Sequence, residues 1–229
     1  MMESRRRRRG FLGLVSAGLL AASLGAHAET PLFTPPAPGT YELPPIQHVA
    51  DYELLDSHGA RVRLLGLAPG QVALVSFVYQ HCTDGSACPA ALATWKRVDE
   101  ALAARPTLAR HVRLVTVSFD PANDTPERMA ELGRHLRPRS DWRFLTARSE
   151  AELQPVLADY GQDVLRLVGS GGERLGLIQH LTKAFLVDAH GDVRGIYGSS
   201  FLSPQILLND VQTVLAEESA ARRQTAASR

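Results

Sequence analysis

Apolar runs alternate with amphipathic stretches along most of this chain. Val72–Tyr79 is almost continuously apolar, which is typical of a buried central strand. Between Pro89 and Ala104 apolar side chains recur every three or four positions, the spacing of a helix that buries one face. These positions are Leu92, Trp95, Val98 and Leu102. The two segments predict a buried strand followed by an amphipathic helix.

Further elements are predicted from helix caps, turns and shorter apolar runs. Thr125, Ser149 and Ser203 are suitable N-caps, and a proline after two of them fits the first helical turn. The last helix is predicted to end near Glu217. Two hairpins are predicted where Asp and Gly separate short apolar runs. The remaining predicted strands are Tyr52–Leu55, Arg61–Leu65, Val112–Phe119, Trp142–Leu145, Ala184–Val187 and Val193–Tyr197.

The order of these elements predicts an α/β fold. A β-hairpin comes first, strands and helices then alternate, and a second hairpin and a helix follow. This is a thioredoxin-like central sheet flanked by helices, with an N-terminal β-hairpin. Open α/β sheets bind ligands at the carboxyl ends of their strands, and the strand at Val72–Tyr79 ends at such an edge.

An export signal is predicted over residues 1–28. Arg5–Arg9 form a basic block, Phe11–Leu24 is apolar, and Ala26 and Ala28 provide small residues for cleavage before residue 29. The alternative is an uncleaved membrane anchor, because the uncharged stretch has nearly the roughly 20 residues that a bilayer requires. Cleavage is the favoured interpretation. The expected location is the periplasm, as a soluble protein or one anchored at the outer face of the inner membrane.

The charge balance bears on the choice of partners. Removing residues 1–28 takes away five arginines and Glu3, so the net charge of +1 becomes −3. The basic block therefore serves export, and nucleic-acid binding is excluded because no basic stripe with interleaved aromatic residues follows. Membrane contact is expected only through an uncleaved N-terminal segment. The domains after it are a Pro-rich linker at 29–47, the α/β domain at 48–218 and a flexible tail at 219–229.

The only two cysteines, Cys82 and Cys88, follow the strand at Val72–Tyr79. In an oxidising compartment they could form a structural disulfide. Cys88 precedes Pro89, however, at or near the N-cap of the next helix, where the helix dipole favours a thiolate. A thiolate is both a nucleophile in disulfide exchange and a metal ligand. Metal binding and thiol redox chemistry are therefore favoured, and two thiolates with one imidazole would suit Cu(I).

Two histidines are candidates for that imidazole. His81 adjoins Cys82, which makes joint coordination of one metal cramped. His180 follows a predicted loop at Gly169–Gln179 and precedes the strand at Ala184–Val187, a junction expected to lie across from the cysteines. On the residues alone, a structural histidine at a strand end is favoured over a metal ligand.

Four segments of the chain carry a resemblance to a known family. They are 76–82 with Cys88 and Pro89, then 116–126, 180–188 and 191–197. They resemble the Sco/SenC family of exported, thioredoxin-like copper-binding proteins, and the resemblance runs from about Tyr52 to Leu215. By resemblance, Cys82, Cys88 and His180 are the copper ligands, for Cu(I) or Cu(II). Asp120 and Asp124 lie in the second segment, either as structural residues, with Asp124 capping the next helix, or as residues near the metal loop.

The resemblance implies a copper chaperone for a copper-accepting protein, such as the subunit that carries the CuA centre of cytochrome c oxidase. One departure is clear, because five residues separate Cys82 from Cys88 where the family usually has three. The alternative is a thiol–disulfide oxidoreductase whose redox pair, Cys82 and Cys88, acts on the cysteines of a partner. Enzymatic activity thus stays open, and a peroxidase is disfavoured because no Thr-x-x-Cys arrangement is present.

Overall fold

The computed structural model describes residues 34–80 and 87–228. Its strands are β1 Gln47–His48, β2 Glu53–Leu55, β3 Arg61–Arg63, β4 Val72–Val78, β5 Val112–Ser118, β6 Trp142–Leu145, β7 Val164–Val168, β8 Arg174–His180, β9 Lys183–Asp188 and β10 Asp192–Gly198. Its helices are α1 Ala87–Ala103, α2 Pro106–Ala109, α3 Pro126–Leu136, α4 Glu150–Asp159 and α5 Pro204–Ala227, with a 3₁₀ turn at Ser199–Phe201. The predicted export signal and Cys82 lie outside the described residues.

A six-stranded mixed sheet is the centre of the fold, in the order β1-β10-β9-β4-β5-β6. Strands β4, β5 and β6 are parallel, whereas β9, β10 and β1 add antiparallel pairs. All residues of β4 are buried, as expected for a strand that is covered on both faces. The predicted α/β arrangement is confirmed, and so is the N-terminal hairpin, in which β2 pairs with β3.

Side chains of β4 alternate between two hydrophobic cores. Val75 and Phe77 belong to the core that includes the buried face of α4. Val72 and Leu74 belong to the other core, which is built with residues of α1, α3 and α5. Because successive side chains of a strand point to opposite faces, one apolar run supplies both layers.

The predicted starts of α3, α4 and α5 are confirmed in position. Ser149 Oγ accepts from the Glu152 N–H at 3.2 Å, and Ser203 Oγ accepts from the Ile206 N–H at 3.3 Å. Thr125 is the N-cap of α3, although its side chain makes no cap hydrogen bond to the helix backbone.

The buried carboxylate of Asp99 ties α1 to the loop before β6. Its oxygens accept from the Arg139 N–H at 2.9 Å, the Ser140 N–H at 2.8 Å and the Ser140 hydroxyl at 2.7 Å. The Lys96 ammonium is 3.1 Å away. Burial by itself would raise the pKa of Asp99, but these hydrogen bonds outweigh it and hold the pKa below its ordinary value.

We expect Asp99→Asn to lower the free energy of unfolding at pH 7 by about 2 kcal/mol, because hydrogen bonds to a charged acceptor are lost. The folded-state pKa is below the unfolded value of about 3.9. The carboxylate therefore stabilises the fold above that value, and this contribution disappears as the pH falls through the folded-state pKa. Urea unfolding at pH 7 and pH 3 tests this, with the exposed Glu100→Gln as control. An equal difference at both pH values contradicts the prediction.

The segment Gly169–Gln179, predicted as a loop, is instead largely part of an antiparallel hairpin. Strands β7 and β8 pair from Val164 opposite His180 to Val168 opposite Arg174. Glycines form the turn, where the Gly169 N–H donates to the Glu173 carbonyl and Gly172 adopts a φ of 82°. Such a φ is readily accessible to glycine, so the glycines of this segment serve a tight turn between strands.

The predicted Pro-rich linker is anchored over its described part. The Gly39 N–H donates to Thr213 Oγ1 at 2.9 Å, and the Asn209 amide donates to the Pro36 carbonyl at 2.8 Å. Burial raises the pKa of Tyr41 to about 12, and the hydrogen bond that its hydroxyl donates to Asp210 adds to the increase. Residues 35–43 therefore lie along α5, because polar side chains of the helix form hydrogen bonds with the backbone of this segment.

The last helix is longer than the sequence predicted. It was expected to end near Glu217, with a flexible tail at 219–229, but α5 continues to Ala227. Alanine, arginine and glutamine are strong helix formers, and Arg222 pairs with Glu218 one turn earlier at 3.1 Å. Helix α2 was also missed. Within the described residues, no helix combines the length and apolar character needed to cross a bilayer.

Candidate metal centre

The carboxyl ends of the parallel strands β4 and β5 meet at one edge of the sheet. Tyr79 and Gln80 follow β4 there and are the last described residues before the segment that contains Cys82. Phe119 follows β5 at the same edge, and its N–H donates to the Val78 carbonyl at 3.0 Å. This edge is where the sequence predicted the site.

His180, the last residue of β8, lies at this edge and is half-buried. Its ring centroid is 4.7 Å from that of Phe119 and 5.8 Å from that of Tyr79. The Tyr79 hydroxyl donates to the Ile178 carbonyl at 3.4 Å, a contact between the end of β4 and the strand that carries the histidine. His180 therefore lies beside a residue that is three positions from Cys82 in sequence.

Cys88 is the second residue of α1, which begins at Ala87. The sequence placed this residue at or near the N-cap, with the helix starting at Pro89. The helix starts earlier because a proline is tolerated in the first turn, where its missing N–H has no partner within the helix. The backbone of Cys88 thus stays at the positive end of the helix dipole. The candidate ligand Cys82 and the alternative ligand His81 lie outside the described residues.

Asp124 contacts the chain that leads into the cysteine segment. Its fully buried carboxylate accepts from the Gln80 N–H at 3.1 Å and from the Ser118 hydroxyl at 2.6 Å. Thr125 is the N-cap of α3, as predicted, and Asp124 directly precedes it. Asp120 is buried as well, and its carboxylate accepts from the Asn123 amide at 2.8 Å.

The neighbours of His180 were not identified from the sequence. Tyr79 and Phe119 ended two predicted strands and looked like ordinary core residues. The signal that could have found them is their position, since each follows the carboxyl end of a parallel strand. Among residues 34–80 and 87–228, no three or more His, Cys, Asp or Glu side chains cluster in a way that could hold a metal ion.

A sequence profile described as SCO1/SenC matches residues 42–216 of the chain. The chain belongs to the SCO1/SenC family. This membership confirms the family predicted from the four sequence segments. No curated protein matches the chain.

Solved structures of SCO1/SenC proteins share the fold. The apo Sco1 of Thermus thermophilus is 27% identical, with a TM-score of 0.55 over 80% of this chain and 95% of that one. The copper-bound ScoI of Arabidopsis thaliana is 20% identical, with a TM-score of 0.59 over 72% of this chain and 96% of that one. BsSco, a cytochrome c oxidase assembly protein with a disulfide switch, is 23% identical, with a TM-score of 0.59 over 76% and 98%. The predicted thioredoxin-like fold class is therefore confirmed.

Proposed function

We propose that this protein is an exported copper metallochaperone that holds copper through Cys82, Cys88 and His180. The observation that carries the proposal is the position of His180 beside the carboxyl end of β4, where its ring contacts that of Tyr79. Because Tyr79 is three residues from Cys82, the imidazole lies near the start of the cysteine segment. Cys88 lies at the other end of that segment, in the first turn of α1.

The donor set fits copper. Thiolate sulfurs are soft ligands that suit Cu(I), and an imidazole nitrogen extends the set to Cu(II). The first turn of α1 favours the thiolate form of Cys88, which is the form that binds metal. Copper is the cargo of such a protein, so the ligands must hold the ion and also release it to an acceptor.

The expected acceptor is a protein with a copper centre, such as the CuA-bearing subunit of cytochrome c oxidase. Support comes from the family, since BsSco belongs to the cytochrome c oxidase assembly proteins. Export through residues 1–28 fits this role, because the predicted signal would deliver the protein to the periplasm, free or anchored at the inner membrane. A lipoprotein of Bacillus anthracis is among the related structures.

We expect the reduced wild-type protein to retain one Cu(I) per chain against a competing chelator of moderate affinity. Cys82→Ser and Cys88→Ser should each lower the Cu(I) affinity strongly. The loss should exceed the factor of about 10 to 100 that is typical when a residue that supports a metal ligand, rather than the ligand itself, is replaced. The reason is that serine replaces a soft thiolate by a hard hydroxyl. Anaerobic competition titration gives the affinities. A wild-type protein that retains no copper would rule the function out.

Thiol–disulfide exchange with the cysteines of a partner is a second candidate. The favouring observation is again the place of Cys88 in the first turn of α1, where a nucleophilic thiolate is stabilised. An exchange catalyst should have a reduction potential between about −120 and −270 mV. A potential below about −300 mV, without exchange activity, would indicate a structural disulfide instead.

A further inference from the structure

His180 is carried by a hairpin that stands apart from the central sheet. In the described part of the chain, β7 and β8 pair with each other and with no other strand. Strand β8 leads after two residues into β9 of the central sheet, and Ile178 is buried in a core shared with β4. The position of His180 therefore depends on this connection and on the side chains that hold the hairpin against the rest of the domain.

Arg166 of β7 makes two such contacts. Its Nη2 donates to the Phe119 carbonyl at 2.7 Å, and its Nε lies 3.1 Å from Glu150 Oε2. The Phe119 ring packs against the imidazole of His180. Arg166 thus holds the backbone of Phe119, whose ring packs against His180. The two side chains of the ion pair are only 17% and 25% exposed, so water screens the pair less than a surface salt bridge.

Glu150, the first residue of α4, links both strands of the hairpin to the helix. Its carboxylate meets Arg166 of β7 and also Arg174 of β8, with an Nη1–Oε1 distance of 2.5 Å to the latter. The hydrogen bond from Arg174, together with the charges of both arginines, outweighs partial burial and lowers the pKa of Glu150. The carboxylate therefore stays charged and can hold both arginines at neutral pH.

We propose that Glu150 and Arg166 are positioning residues that hold His180 beside Tyr79, at the carboxyl end of β4, and so set the preference of the site for Cu(II) over Cu(I). The inference rests on the proposed function, because it takes His180 as a copper ligand. Two thiolates are enough for Cu(I), whereas Cu(II) favours the additional imidazole nitrogen. A hairpin that is free to move away from the cysteines should therefore weaken the Cu(II) complex selectively.

The test compares Cu(II) and Cu(I) affinities of the full chain carrying Glu150→Gln or Arg166→Met. Each change should lower the Cu(II) affinity about 10-fold, the size of an outer-shell effect, and leave the Cu(I) affinity at the wild-type value. The electron paramagnetic resonance spectrum of the Cu(II) form should change with it. The double variant should lose less than the sum of the single losses, because either change alone already removes the ion pair between the two residues.

Two further variants keep the result interpretable. Arg128→Met breaks an exposed ion pair with Glu131 on α3, 3.3 Å long, and should change neither affinity. Arg166→Lys keeps a cation beside Glu150 and should recover part of the Cu(II) affinity. Unchanged Cu(II) binding in Glu150→Gln and Arg166→Met, or equal losses for both ions, overturns the positioning role while copper binding itself stands. A wild-type protein that binds neither ion overturns the proposed function and this inference together.

Discussion

Replacing His180 with alanine should lower the Cu(II) affinity by more than about 100-fold, beyond the range of outer-shell changes. The imidazole is the only nitrogen donor in the proposed ligand set, and it lies at the sheet edge where β4 ends. The Cu(I) affinity should fall less, because two thiolates can hold that ion without a third ligand. Anaerobic competition titrations with each ion measure both effects.

His58→Ala is the matched control for this variant. His58 is exposed in the turn between β2 and β3, so its removal should leave both copper affinities unchanged. Wild-type Cu(II) affinity in His180→Ala would show that the third ligand lies elsewhere. In that case His81, next to Cys82, becomes the candidate to replace.

The main sheet could be predicted because its strands are strongly patterned. The apolar run at Val72–Tyr79 has the length and composition of a strand covered on both faces, and it forms β4. The hairpin β7–β8 could not be found in the same way. A register shift between Arg166 and Val168 breaks the alternation of its side chains, and glycines interrupt the pattern. His180 was therefore predicted at the end of a loop, whereas it is the last residue of strand β8.

The site was partly predictable for a related reason. Residue types with strong chemistry, two cysteines and a histidine, stand out in a sequence. The side chains that hold them in place do not. The contact between Arg166 and the Phe119 carbonyl joins residues 47 positions apart, and no local sequence pattern predicts it. Such contacts depend on how the strands meet, so they become visible only in the folded chain.

Asp124 is a fully buried carboxyl group that contacts the chain just before the cysteine segment. It holds the Gln80 N–H, two residues before Cys82, against the end of β5 through Ser118. Since the carboxylate is fully buried, its hydrogen bonds to these donors are poorly replaced by water. We therefore regard Asp124 as a support for the entry into the cysteine segment.

Asp124→Asn should lower the free energy of unfolding by about 2 kcal/mol, because an amide replaces one carboxyl oxygen by an NH2 group in a site where water cannot satisfy it. It should also weaken Cu(I) binding about 10-fold, since the chain just before Cys82 is held less firmly. Urea unfolding and copper competition measure the two effects. Asp120→Asn is the control, because its carboxylate is buried in the same segment but bonds Asn123. Equal copper affinities in the two variants would limit Asp124 to a role in stability.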